Sequence, residues 1–107
     1  MASCDLDASR PEALASAHGA RPYTDVERVF AVEAVGIAMP DHVHRDVVIA
    51  AAGAGAAILV DKPLATTAED AEAIAAVVGA RGVRLMVDVH SRDSPPFNVA
   101  KDAIERG

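Results

Sequence analysis

The chain has 107 residues, 51 % of them hydrophobic, and carries 16 acidic against 10 basic side chains for a net charge of −6. This length sets a prior of one domain, the apolar content excludes a disordered acidic tail, and the negative balance argues against a broad basic face for nucleic acid or anionic membrane. No apolar run approaches the roughly 18 residues of a membrane span, and 3 % aromatic residues leave few stacking platforms for bases or sugars.

Taken in chain order, residues 2–4 read as the tail of a strand. Residues 8–18 follow as a helix with Asp7 as N-cap, Pro11 in the first turn and Gly19 as the stop. Thr24 and Glu27 have capping-box spacing and open a short helix around 25–31. Residues 34–38, AVGIA, read as a buried strand ended by Pro40, and 42–54 as a helix with Val43, Val47 and Ala50–Ala51 on one face. A second buried strand, AILV at 57–60, stops before Pro63. Thr66 with Glu69 and Thr67 with Asp70 offer two capping registers for a helix over 68–80, closed by Gly82. RLMV at 84–87 is a third strand, and Ser94-Pro95-Pro96 opens a last helix to about Arg106, with prolines where a missing N–H costs little.

Apolar strands joined by helices predict an α/β domain: a partial Rossmann-like, doubly wound parallel sheet with helices on both faces. Right-handed crossovers place the C-terminal ends of the strands on one edge, where ligands of such sheets bind. The segments leaving the strands are Asp5-Leu6-Asp7, Met39-Pro40-Asp41-His42-Val43-His44, Asp61-Lys62-Pro63 and Asp88-Val89-His90-Ser91-Arg92. Three of the four histidines, one of the two lysines and five of the sixteen acidic residues therefore fall on one predicted rim.

Each piece has a plain reading beside the functional one. Asp5 can accept hydrogen bonds from a ribose diol, or simply form a turn or cap. Lys62, stiffened by Pro63, can hold an ammonium group in a fixed place to relay a proton, or be an exposed lysine paired with Asp61. His42 and His44, with Asp88 and His90, invite a metal reading. However, H-x-H straddles a proline loop and a helix start here, so the rings should diverge and no metal site is expected. His44 reads as a helix-start residue and His18 as a solvated helix-end one. Cys4 has no nearby base, and no G-x-S-x-G elbow is present, so nucleophilic catalysis has no support. A lone cysteine makes no internal disulfide and fits a reducing, cytoplasmic compartment; no secretory leader is visible, because Asp5 and Asp7 stand where a basic region belongs. The phosphate fingerprint G-x-G-x-x-G is absent, and Gly53-Ala54-Gly55 lies at a helix end, the wrong place for a pyrophosphate. If Asp5 is a ribose carboxylate, that fingerprint would lie about 20 residues earlier, upstream of Met1.

The run AVGIAMPDHVHRDVVIAAAGAGAAILVDKPLATTAEDAEAI, continued by GVRLMVDVHSRDSPPFNVAKDAIERG, resembles the Gfo/Idh/MocA oxidoreductases. The likeness covers essentially the whole chain, including CDLDASRPEALASAHGARPYTD. Asp61-Lys62-Pro63-Leu64-Ala65-Thr66-Thr67 is its most specific stretch. The resemblance implies an NAD- or NADP-binding Rossmann domain paired with a C-terminal α/β domain, and hydride transfer on sugars, polyols and related small molecules. It implies that Asp5 holds the adenosine ribose, favouring NAD. Pro40, Asp41 and His42 correspond to the Thr-Pro-Asn-His loop beside the cofactor. Lys62 corresponds to the lysine that contacts substrate and nicotinamide ribose and assists proton transfer, and Arg92 to an arginine near the cofactor. Asp61 stands for the more usual glutamate, Met39 for a threonine and Asp41 for an asparagine, which puts a negative charge where an amide normally donates.

The expectation is thus one incomplete cofactor-binding domain over 1–107, without a first strand, glycine loop or C-terminal substrate domain. It would be a fragment of a dehydrogenase that is inactive as an isolated chain and homo-oligomeric when full length. Exposed sheet edges should promote its association. The alternatives are a non-catalytic nucleotide-binding or sheet-completing interaction module and, more weakly, a metal hydrolase using His42, His44 and His90.

Overall fold

The computed structural model describes residues 1–107, the side chain of Asp93 excepted. In order, the elements are β1 (Ala2–Cys4), α1 (Ser9–His18), β2 (Arg21–Tyr23), β3 (Ala34–Ile37), α2 (His44–Ala54), β4 (Ala57–Asp61), α3 (Ala68–Arg81), β5 (Leu85–Asp88) and α4 (Pro95–Arg106). Short 3-10 turns lie at Val26–Val29, Asp41–Val43 and His90–Asp93. The strands form two parallel sheets, β1–β2 and β3–β4–β5. Among the described residues, β1 and β3 each keep one unpaired edge, and no ladder joins the two sheets.

Local chemistry explains the helix ends. α1 begins at Ser9 with Ala8, not the expected Asp7, at its N-cap, and the amide and hydroxyl of Ser9 both donate to Asp7 Oδ1 just before it, at 3.1 and 2.7 Å. Of the two registers open to α3, Thr67 is the one used: its hydroxyl accepts from the Asp70 amide at 3.1 Å. α2 and α3 end at Gly55 (φ 88°) and Gly82 (φ 64°), left-handed positions that any side chain would strain.

The core forms where α2 and α3 lie on one face of the three-stranded sheet. Val47, Val48, Ala51 and Ala52 of α2 and Ile74 of α3 are buried together with Ile58 and Val60 of β4. The alanines let α2 approach the sheet closely. Val29 and Phe30, between β2 and β3, join this core, and Ala2, Cys4 and Tyr23 pack against it, tying the small sheet to the large one.

Several details differ from the sequence reading. The opposite face of the three-stranded sheet is open: Leu59 is 46 % and Met86 64 % exposed, and they are register partners with Gly36 beside them. Apolar runs predict cover on both faces, yet in this sheet the strands alternate between a packed and an open one. Residues 21–23 form a strand that the sequence hides, because Pro22 normally demotes one. Here Arg21 donates to the Met1 carbonyl and Tyr23 accepts from Asp5, so the proline nitrogen needs no partner on the inner edge. The predicted helix at 25–31 is a four-residue 3-10 turn, capped by Asp25, which accepts from the Glu27 amide at 3.0 Å, rather than by Thr24. Residues 41–43 are a 3-10 turn and α2 begins only at His44; Ser94 occupies the N-cap of α4 but makes no side-chain cap bond.

Candidate functional site

The parallel registers set which predicted residues meet. Ile37 pairs with Val60, and Asp61 with Asp88, so the three strands end level with one another. Their exits, Met39–Asp41, Asp61–Pro63 and Asp88–Arg92, therefore lie along one edge. A cavity of 360 Å³ opens there, lined by Met86, Val87, Asp88, Val89 and Arg92. Arg92 reaches it from a 3-10 turn whose Arg92 amide donates to the Val89 carbonyl at 2.8 Å.

Lys62 sits in the middle exit, and its peptide bond to Pro63 is cis. Asp61 is not its ion-pair partner: Asp61 Oδ1 accepts the Lys62 main-chain amide at 2.8 Å. Among the described residues the Lys62 ammonium pairs with no acid, although six other arginine or lysine ion pairs are formed. The Lys62 side chain is exposed.

His44 is the residue that sequence reasoning missed. It is 1 % exposed, the one buried charged or polar side chain among the described residues. Its Nδ1 lies 2.8 Å from the Pro63 carbonyl oxygen and its Nε2 2.8 Å from that of Met39. The imidazole thus ties the exit of β3 to the exit of β4. A signal was available: His44 is in phase with Val47, Val48 and Ala51, on the stripe of α2 that faces the core. His42 behaves oppositely. It is exposed, with Nδ1 4.0 Å from Asp41 Oδ1, so the two rings of H-x-H diverge. No three His, Cys, Asp or Glu side chains among the described residues come together as a metal ion requires.

Asp5 follows β1 in the other sheet. Its Oδ1 accepts the Asp7 amide at 2.9 Å, and its Oδ2 lies 3.4 Å from Arg10 Nη1. Arg10 also reaches Asp7 at 3.5 Å. Hydrogen bonds from the Ser9 hydroxyl and amide, aided by Arg10, hold the Asp7 carboxyl below its usual range. A second cavity, of 280 Å³, lies between α1 and β2, where Arg28 stands 5.2 Å over the Tyr23 ring; none of the predicted site residues lines it.

Comparison with known proteins agrees with this arrangement. The family described as an oxidoreductase family with an NAD-binding Rossmann fold matches residues 1–89. The chain belongs to the Gfo/Idh/MocA oxidoreductases. It is 40 % identical to levoglucosan dehydrogenase of Pseudarthrobacter phenanthrenivorans over 71 % of this chain and 20 % of that protein. It is 36 % identical to D-apiose dehydrogenase of Paraburkholderia graminis over 100 % of this chain and 30 % of that one. Among solved structures, the WlbA dehydrogenase of Bordetella pertussis, in complex with NADH and UDP-GlcNAcA, superposes with a TM-score of 0.89 at 32 % identity, over 97 % of this chain and 33 % of its own. This Gfo/Idh/MocA chain therefore has the fold of an NAD(P)-binding Rossmann domain and spans a third or less of the length of these relatives. No helix is long and apolar enough to cross a membrane among the described residues.

Proposed function

We propose that the chain forms part of the cofactor- and substrate-facing rim of a dehydrogenase that moves hydride between NAD(P) and a sugar- or polyol-like molecule, with Lys62 handling the proton. The observation that carries this reading is the ammonium of Lys62, without an acid partner among the described residues, at the level ends of parallel strands. The substrate class rests on the relatives, which are named for levoglucosan and D-apiose. When bound, the nicotinamide supplies the hydride acceptor or donor. An ammonium group beside a substrate hydroxyl favours the oxyanion and gives its proton a path as the carbonyl forms. Pro40, Asp41, His42, Asp61 and Arg92 line the same edge. Asp5 keeps lone pairs beyond those taken by Asp7 and Arg10, enough to accept from a ribose hydroxyl, and this favours NAD.

The fit is partial. A pyrophosphate needs a helix N-terminus with free N–H groups and no anion beside it. α1 starts beside Asp7, α2 carries Asp46 in its first turn, α3 carries Glu69 and Asp70, and α4 begins with two prolines. The cradle must come from other residues, so this chain alone binds the cofactor weakly and does not turn over. The unpaired edges of β1 and β3 favour a second reading, a module that completes its sheet with a strand from a partner.

In the enzyme that carries this sequence, Lys62→Ala should lower kcat by about 10²–10⁴-fold, the usual worth of a positioned acid–base group, with NADH affinity near wild type. Unchanged kcat removes Lys62 from the chemistry. Calorimetry of this chain with NADH should show weak or no binding, and sub-micromolar affinity would overturn the incomplete-cradle account. An intact enzyme that neither binds NADH nor turns over, but dimerises through its sheet edges, would support the second reading.

A further inference from the structure

His44 is buried at 1 % exposure between two groups that can only accept hydrogen bonds, the Pro63 and Met39 carbonyl oxygens, each 2.8 Å from a ring nitrogen. A neutral imidazole has one N–H. In that form, one of these contacts would set a nitrogen lone pair against an oxygen lone pair at hydrogen-bond distance. Only the imidazolium, with two N–H groups, satisfies both. Asp61 and Pro63 flank Lys62, and Met39 flanks the Pro40–His42 turn, so the ring spans the two loops that frame the lysine.

We propose that His44 is a positioning residue. Its imidazolium, donating from both nitrogens to the main chain, latches the exits of β3 and β4 together and so fixes where the Lys62 ammonium stands. This rests on the reading of Lys62 given above. Four acidic side chains on the elements packed around the latch, Asp41, Asp46, Asp61 and Asp70, are otherwise engaged. Asp41 of the preceding turn lies against His42, and on α2 itself Asp46 pairs with Arg45 at 2.8 Å. Asp70 of α3 pairs with Arg45 at 3.0 Å, and Asp61 of β4 holds the Lys62 amide. Glu69, also in the first turn of α3, makes no ion pair with His44, and β3 carries no charged residue. None of the ion pairs among the described residues includes His44, so carbonyl dipoles hold the charge rather than a carboxylate. When the ring loses one proton, one carbonyl loses its donor and its loop is released.

The test reads both ends of the latch in the same chain. In long-range proton–nitrogen spectra, His44 should show two ring N–H groups in the latched state. As pH rises, loss of one should coincide with movement of the main-chain amides of Lys62 and Leu64, or of Met39 and Asp41, at a single shared midpoint. A His44 ring that keeps one bare nitrogen throughout, or amides that do not follow the ring, overturns the proposal. His44→Phe fills the volume without a donor. It should keep the far-ultraviolet dichroism and lose the linked amide shifts; His44→Gln, whose carboxamide donates but does not titrate, should also lose the pH-linked shifts while holding the loop amides nearer their wild-type positions. Retention of the shifts in His44→Phe refutes the latch. In the intact enzyme, His44→Phe should lower kcat and alter its pH profile with little change in cofactor KM. If Lys62→Ala leaves turnover unchanged, the role of Lys62 falls but the amide coupling still stands or fails by itself.

Discussion

Two isoleucines of this chain offer an internally controlled test of the architecture. Ile74 on α3 is 0 % exposed, packed with the α2 stripe and β4, and Ile104 on α4 is 81 % exposed. Replacing Ile74 by alanine removes three buried carbons, a transfer cost of about 2.4 kcal/mol at roughly 0.8 kcal/mol per methylene. The cavity left between two helices and a sheet adds to this, because helix backbones cannot collapse into it, and the total is about 3–4 kcal/mol. A domain of this size holds only about 5–15 kcal/mol in all. At about 4–8 °C per kcal/mol, Tm should fall by roughly 12–30 °C. Urea unfolding followed by far-ultraviolet dichroism should show a lower midpoint with an unchanged slope. Ile104→Ala deletes the same carbons from solvent and gains helix propensity, so its stability should stay within about 0.5 kcal/mol of wild type. Equal shifts for the two variants, or a cost at Ile74 below about 1 kcal/mol, would refute the packing of α3 on α2 from which the loops of the site are hung.

Two further outcomes follow from the caps and from Cys4. Thr67→Ala should cost about 1 kcal/mol through loss of the bond to the Asp70 amide, while Thr66→Ala should cost little; the reverse order in thermal melts would shift the start of α3 by one residue. Burial foremost, then the charges of Asp25 and Asp5, push the Cys4 thiol pKa up, so iodoacetamide should react more slowly with the native chain than with the urea-unfolded one. Because the folded value lies above the unfolded one, this contribution to stability is full below the unfolded pKa and disappears as pH rises through the folded pKa; Cys4→Ala should remove that alkaline loss from urea midpoints.

The helices were legible because their determinants are local. The periodic stripe of α2, the Thr67 cap and the glycine stops lie within a few residues of the backbone groups they satisfy. β2 was not, because Arg21–Tyr23 becomes a strand only through Met1 and Asp5, partners about twenty residues away. The run Ile58-Leu59-Val60 looks the same whether one face of a sheet is covered or two, so the open face of Leu59 and Met86 could be found only once the helices were in place. At the site, strand ends foretold that the loops leaving β3, β4 and β5 share an edge, since parallel topology decides it, whereas the exit of β1 that carries Asp5 belongs to the other sheet. The electrostatics stayed hidden, since Asp61 spends its carboxylate on a main-chain amide and Asp5 meets Arg10, and neither choice is written in residue type. His44 joins both lessons. Its partners are carbonyls that every residue carries, so no spacing of side chains could announce them. Its phase on the apolar stripe of α2 did announce burial, and a buried histidine has to find partners for its ring nitrogens. A polar side chain that falls in step with a helix's packed face is thus a better pointer to the construction of this site than the more exposed His42 two residues before it.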